Sequence, residues 1–426
     1  MAQRERPKII PAQNFHYAGR ILLLPRDARP SSWKLPRMIA RVADHELIYP
    51  PREMLGDADS PVDMNRIVTW AKKQNLNSLQ GVIVSLDALT GGERQAPPEQ
   101  IKARLELLHW IRQHQPNLPI YGFTQQPREE ISQFGFDDLL LTQTDADAAS
   151  LLVARLLSRT YQRPLKIRLV TSTELSAPLR QLLAAQLEAI NGQPVAEGKA
   201  DLVLFIHTPE TDAAQLAIFT ETLANTVAAG YYVALADVSG NAEAVVATLR
   251  TRKQLDLLQA YAASPEPSAA LSRVLAHSTA RLIAARVLRP KLQVDQLRRA
   301  ERMQVELMLV RYLEDWGYAG SIRARVEQHV REQLKADPKQ LGTATEAAEA
   351  FATSELSLLA EELFRTQFRY NLHSVLMGDG TRVDFQVELL QRCRARFPLQ
   401  RTDALELDIG IHLPLIIGMS QLPVRK

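Results

Sequence analysis

The stretch 22-LLLPRDARPSSWKLPRMIA-40 holds the first decision about this chain. An apolar run ends on Pro25, the corner Arg26-Asp27-Ala28-Arg29-Pro30 follows, and an amphipathic helix begins. A buried strand that stops on a charged, proline-clamped corner has two readings. The corner either fixes polar groups at a sheet edge, where ligands of α/β proteins bind, or is a strand-to-helix turn and nothing more.

Outward from that corner the same alternation repeats. Strand candidates are 20-RILLLP, 46-ELIYP, 81-GVIVSL, 119-PIYGFT, 138-DLLLT, 166-KIRLVTS, 201-DLVLFIH, 231-YYVALAD and a weaker 258-LQAYA. Helix-period segments separate them, among them 63-DMNRIVTWAKKQ, 99-EQIKARLELLHWIRQH and 177-APLRQLLAAQLEAING. Strands alternating with helices of this length specify βαβ units and a mainly parallel α/β sheet. Two architectures fit: two consecutive doubly wound, Rossmann-like lobes, or a single (β/α)8-like barrel. Nine strands, split five and four by the polar joint 158-SRTYQRP, favour two lobes. From about Pro265 the pattern turns helical, and the tail 404-ALELDIGIHLPLII reads as a strand after 382-RVDFQVELLQRCRARFPLQ. The expected organisation is a first lobe over 1–160, a second over 161–265 and a helical region over 266–375. A C-terminal helix and strand over 376–426 should then pack back on the α/β part.

Bulk composition narrows the function classes. With 46% hydrophobic and 23% charged residues the chain of 426 is globular and long enough for two or three domains. A net charge of +3 forms no basic stripe, so nucleic acid is not expected as a partner. The opening residues lack the apolar core of a signal peptide, no eighteen-residue apolar run exists, and one cysteine, Cys393, suits a reducing compartment. The expectation is a cytoplasmic chain with no membrane partner. It would bind a small molecule, and its helical C-terminal part could serve a homo-oligomer or protein partner.

No phosphate loop, dinucleotide fingerprint, HExxH or Gly-x-Ser-x-Gly motif occurs, and no cofactor or metal is expected. His109 and His114 are five apart on one helix and share no face, and a lone thiol on a helix, Cys393, reads as inert. Position along the strand is then the useful filter. Asp27 and Arg29 follow the first strand, Ser85 and Asp87 the third, Thr142 and Asp145 the fifth, His207 the seventh and Asp237 the eighth. Carboxylates converging at one mouth suit general acid/base work or a hydroxylated ligand. The competing reading is that Asp and Ser at strand ends cap helices and turns. Asp87 stands out, inside an apolar run and ahead of Gly91 and Gly92. In 311-RYLEDWGYAGSIR-323, Arg311 and Asp315 read as a surface helix pair, and Trp316 and Tyr318 as a docking corner at a glycine break.

The runs 22-LLLPRDARPSSWKLPRMIARVADHELIYPPREMLG-56 and 82-VIVSLDALTGG-92 resemble a bacterial family, domain of unknown function 4127. Its members open with a strand, a "PLDERP" corner, a "PP…LLG" segment and later "SLDxLxYGGL". Weaker likeness continues through 149-ASLLVARLLSR, 233-VALADV, 258-LQAYA, 311-RYLEDWGY and 397-FPLQRTDALELDI. Asp27, Arg29, Pro30, Pro50, Pro51, Ser85, Asp87, Gly91, Gly92, Asp237, Tyr261, Arg311, Asp315 and Tyr318 match the family pattern. Departures are 262-AASPEP in place of "GWNT", 90-TGGERQ in place of "YGGL", and a paired-Asp segment reduced to Asp137-Asp138 or Asp145.

Two functions follow as expectations. One is a metal-independent hydrolase of a small polar, sugar-derived substrate, with Asp27 and Asp87 as acid/base pair and Arg29, Ser85, Gly91, Gly92, Asp237 and Tyr261 on the substrate. The other, motivated by the departures, is a non-catalytic ligand-binding or scaffold member.

Overall fold

The computed structural model describes residues 16–55, 63–90, 97–125, 136–141, 147–161, 163–196, 199–209, 211–240 and 243–416. Two parallel five-stranded sheets follow one another along the chain. The first contains β1 (Gly19–Leu24), β2 (His45–Ile48), β3 (Gly81–Ser85), β4 (Ile120–Thr124) and β5 (Asp138–Leu141), in the order β2-β1-β3-β4-β5. The second contains β6 (Leu165–Thr171), β7 (Gly192–Val195), β8 (Leu202–His207), β9 (Val233–Asp237) and β10 (Ala260–Ala263), in the order β10-β9-β8-β6-β7. Read from its other edge, the second sheet has the winding of the first. Each is a doubly wound lobe of the 2-1-3-4-5 kind, and a single barrel is excluded.

Helices on both faces bury the central strands twice over, so these strands are unbroken apolar runs. Ile21, Leu22, Val82, Ile83, Leu204 and Phe205 are all fully buried. β7 is the strand missed by the count of nine. Its sequence GQPV has no apolar run because it lies at a half-exposed edge, the one place a strand proline is tolerated. The two lobes also share a detail. Asp44 and Asn191, each between the first helix and second strand of its lobe, adopt left-handed backbone (φ 51° and 57°). Asx residues tolerate that conformation best after glycine.

After β10 the chain forms the helix Pro267–Ile283 and then a second from Val294 to Arg311. The second does not break at its glycines. It widens into a π-helical segment, Tyr312–Ile322, and narrows again over Arg323–Glu332. Gly317 marks a close approach here: a Cβ at this position would lie 2.3 Å from Leu359 Cδ2 on the helix Thr345–Leu363, so that side chain would have to move. The C-terminal part differs from expectation. Residues 382–396 hold no helix but two strands, Arg382–Gln386 and Leu389–Arg396, the second paired antiparallel with Glu406–His412. Cys393 is therefore on a strand. The segment LLQRCRAR has helix-forming residues, and pairing with the apolar ELDIGIH strand overrides them. Among the described residues no helix is long and apolar enough to cross a membrane.

Candidate functional site

The proline corner is built by Asp27. Its carboxylate accepts the Arg29 N–H at 3.0 Å, the Ser32 hydroxyl at 2.7 Å and the Arg29 Nε–H at 2.8 Å. Helix α1 (Pro30–Val42) starts directly after it, with Pro30 at the first helical position, where the missing N–H costs nothing. Trp33 Nε1 locks the turn by donating to the Ala28 carbonyl at 3.1 Å. Burial pushes the Asp27 carboxyl up, but the Arg29 guanidinium and the Ser32 hydroxyl outweigh it and hold the group below its ordinary value. The acid is thus a fixed anion whose oxygens position Arg29.

Arg29 lies on the wall of a cavity of about 410 Å³, a size that suits a small ligand. Four separate segments close it: the start of α1, the helix carrying Arg273, the π-helical turn with its flanks, and the loop 399–405. Six cations stand on the wall, Arg29, Lys34, Arg273, Arg311, Arg323 and Arg401, against two acids, Glu314 and Asp403. The counter-ions of the deep cations sit behind it and, for Arg311, also on the wall, where its Nη2 donates to Glu314. Arg273 Nε donates to Asp147 at 3.0 Å, and Asp315 Oδ1 accepts from both Arg273 (3.4 Å) and Arg311 (3.2 Å). Burial depresses Arg273, yet Asp147 and Asp315 raise it above its ordinary value. Burial lowers Arg311, and the neighbouring Arg273 lowers it further against Asp315. Burial likewise lowers the Lys34 ammonium, opposed by Glu406.

The expected surface pair Arg311–Asp315 is therefore a buried one, with side-chain exposures of 6% and 5%. Asp315 also accepts the N–H of Ala263 at the end of β10 (3.2 Å), so one carboxylate ties the second lobe to the cavity's arginines. Trp316 and Tyr318 make the contacts between parts that the docking-corner reading requires. Trp316 Nε1 donates to Glu243 at 2.8 Å, and the Tyr318 hydroxyl donates to the Thr402 carbonyl at 2.6 Å. Tyr318 also faces the cavity.

Of Asp27, Arg29, Ser85, Asp87, Asp237 and Tyr261, only Arg29 is on this wall. Ser85 accepts from the Ala88 N–H at 3.3 Å, and Asp87 accepts from Thr124 Oγ1 and the Gln125 N–H, both at 2.9 Å, which fastens β3 to β4. Asp237 is fully buried in the second lobe, where it accepts from His207 Nδ1 at 2.8 Å and from the Ser239 N–H at 2.8 Å. Tyr261 is stacked on Tyr312 with ring centroids 4.6 Å apart. Burial pushes its phenol far above the usual value, and Asp315 and Asp237 add to that. Gly91, Gly92, Thr142 and Asp145 lie outside the described residues. Lys34, Arg273, Arg323, Arg401, Glu314 and Asp403 were not among the expected site residues. Two stretches that carried the family likeness, 311-RYLEDWGY and 397-FPLQRTDALELDI, hold three of these six, Glu314, Arg401 and Asp403, and the run 22–56 holds Lys34. Arg273 had a different signal, as a cation within the largely buried helix Pro267–Ile283.

Fold and site together define a two-lobed α/β protein with a helical layer and a cation-lined cavity at their junction. The chain belongs to the family described as "Protein of unknown function (DUF4127)", whose model matches residues 21–139 and 147–407. No curated protein matches it. Among solved structures, a two-component system response regulator/GGDEF domain protein is 16% identical, with 62% of this chain and 99% of that one covered and a TM-score of 0.24. The carboxyl transferase domain of Rhizobium etli pyruvate carboxylase with pyruvate is 10% identical, with 93% and 88% covered and a TM-score of 0.16. At such scores neither likeness bears on fold or site.

Proposed function

We propose that the chain binds a small, sugar-sized anion in the arginine-lined cavity, which is the ligand-binding one of the two expected functions. The observation that carries it is six cations converging from four segments on one small cavity, each held in place by a carboxylate. Arginine forks match carboxylate and phosphate geometry, and semi-buried cations attract anions more strongly than exposed ones. A cytoplasmic setting belongs to the same reading and rests on the single cysteine.

The metal-independent hydrolase is the second reading. Its support is that β1 and β3 are neighbours with Leu24 opposite Val84, so Asp27 and Asp87 each follow the same edge of the sheet by three residues. Against it, the oxygens of both acids are engaged as described above. One experiment separates the readings. Calorimetric titration of the full chain with sugar phosphates, sugar acids and their neutral parents should show binding of the anions only, weakened by Arg29→Gln or Arg401→Gln and by added salt. Equal binding of neutral parents would overturn the anion reading. Turnover of a glycoside panel that both Asp27→Asn and Asp87→Asn abolish would put the hydrolase in its place.

A further inference from the structure

The outer edge of the small C-terminal sheet is open. Its strands lie in the order Leu372–Leu376, Arg382–Gln386 and Leu415–Ile416, so Leu372–Leu376 is paired on one side only. The Met377 N–H donates to the Thr381 carbonyl at 2.8 Å and the Val387 N–H to the Asn371 carbonyl at 3.1 Å, which fixes the phase of the ladder. Backbone groups alternate sides along an antiparallel strand. His373 and Val375 therefore bond to Arg382–Gln386, and the N–H and C=O of Leu372, Ser374 and Leu376 point outward. None of these outward groups has a partner among the described residues.

Sheet edges are ordinarily blunted by proline, lysine, a bulge or a very short strand. The second lobe does so with Pro194 on β7. Leu372–Leu376 has neither proline nor lysine, its register with Arg382–Gln386 is unbroken, and its two leucines are 56% and 67% exposed. The strand is also fixed in place. His373 turns inward to Asp256 and Glu301, Val375 is buried, and Gly378, just past the strand, packs on the Pro290 carbonyl with no room for a Cβ. An ordered, apolar, open edge is a template for one more strand.

The strand's own pattern selects which. Leu372-His373-Ser374-Val375-Leu376 has a leucine at each end and a small hydroxyl residue in the middle. Laid antiparallel on a second copy about a twofold axis at Ser374, each Leu372 lies opposite the partner's Leu376, and the outward N–H and C=O groups meet as hydrogen-bonded pairs. The charges agree with that register. Arg369 and Asp379, both exposed, stand equally far before and after Ser374. Twofold pairing thus brings Arg369 of each chain to the end that carries the partner's Asp379. Parallel in-register pairing would instead set like charges together.

We infer that two copies of this chain associate through Leu372–Leu376 and join their small sheets into one. The surface shares no residue with the arginine-lined cavity, so the inference stands apart from the anion-binding reading. The contact is short, of a size that gives reversible association rather than an obligate dimer.

Sedimentation velocity of the full chain from ~1 to ~100 µM should show reversible conversion to twice the chain mass. Ser374→Pro tests the edge. It deletes one outward N–H and leaves the ladder to Arg382–Gln386 whole, so the variant should keep the parent's Tm and stay monomeric throughout. Two charge variants test the register without touching the backbone. Arg369→Asp and Asp379→Arg should each weaken self-association at least ~5-fold through like charges, and an equimolar mixture should restore it, because the mixed pair is complementary at both ends. A dimer that Ser374→Pro leaves intact, or a mixture that associates no better than either variant alone, would overturn the inference. So would a parent chain that stays monomeric to ~100 µM, which would leave the edge to a strand of another protein.

Discussion

Asp315→Asn is the substitution that most directly probes how the cavity is held. Asp315 is 5% exposed and accepts three donors, Arg273 and Arg311 on one oxygen and the Ala263 N–H on the other. The amide keeps the shape and removes the charge. If its oxygen stays on the arginines, its NH₂ faces the Ala263 N–H, and a buried donor loses its acceptor at a cost of about 1–3 kcal/mol. Removing one partner of a buried ion pair costs about 3–5 kcal/mol, a figure that already contains such a mismatch. At about 2.1 cal/mol/K per residue, a chain of 426 residues unfolds with an entropy near 0.9 kcal/mol/K, so Tm should fall by roughly 3–6 °C. The variant leaves Asp147 on Arg273 and Glu314 on Arg311 but removes the negative charge the two arginines share, so phosphate should raise its Tm more than that of the parent chain. Differential scanning calorimetry at two phosphate concentrations measures both effects. A variant that melts with the parent, or that phosphate stabilises no more than the parent, would show that Asp315 does not hold these cations.

Two further outcomes follow from other buried groups. Burial would lower His373, but Asp256 and Glu301, each 3.2 Å from its ring, raise it to about 9, against 6.5 for the ordinary group. Because the folded value lies above the unfolded one, this stabilisation is complete below about pH 6.5 and disappears as pH rises through 9, amounting to roughly 3 kcal/mol at most. Urea unfolding across that window should show the loss in the parent chain and not in His373→Gln; parallel pH profiles would refute it. Gly317→Ala should cost about 1–3 kcal/mol by overpacking Leu359, and Leu359→Ala in the same chain should recover part of it. Additive effects of the two substitutions in a double-mutant cycle would mean that the close approach of these helices carries no strain.

The parts of this chain that the sequence makes legible are those where burial repeats. β1, β3, β4, β8 and β9 are covered on both faces, so each reads as an apolar run whatever its neighbours do. β7 has no such run, and its trace in the sequence is the Asn191-Gly192 pair, the counterpart of Asp44-His45 in the first lobe. Strand Leu389–Arg396 is legible only through its partner, since its register with Glu406–His412 is a tertiary fact. The site is harder for the same reason. Its residues come from positions near 29, 273, 311–323 and 401, and a charged side chain that turns inward looks in sequence like one facing water. In the PRDARP corner the turn and the cavity wall are one feature. Asp27 is wholly engaged in making the turn, and what the turn does is hold Arg29 at 2.6 Å in a fixed orientation on the cavity wall. A flexible arginine loses entropy each time it takes hold of a ligand, and one already clamped by a carboxylate and a helix start loses less. On the anion-binding reading proposed above, Asp27 acts by pre-orienting the neighbouring cation, and Asp27→Asn should weaken anion binding through Arg29; an unchanged anion affinity in that variant would refute this role.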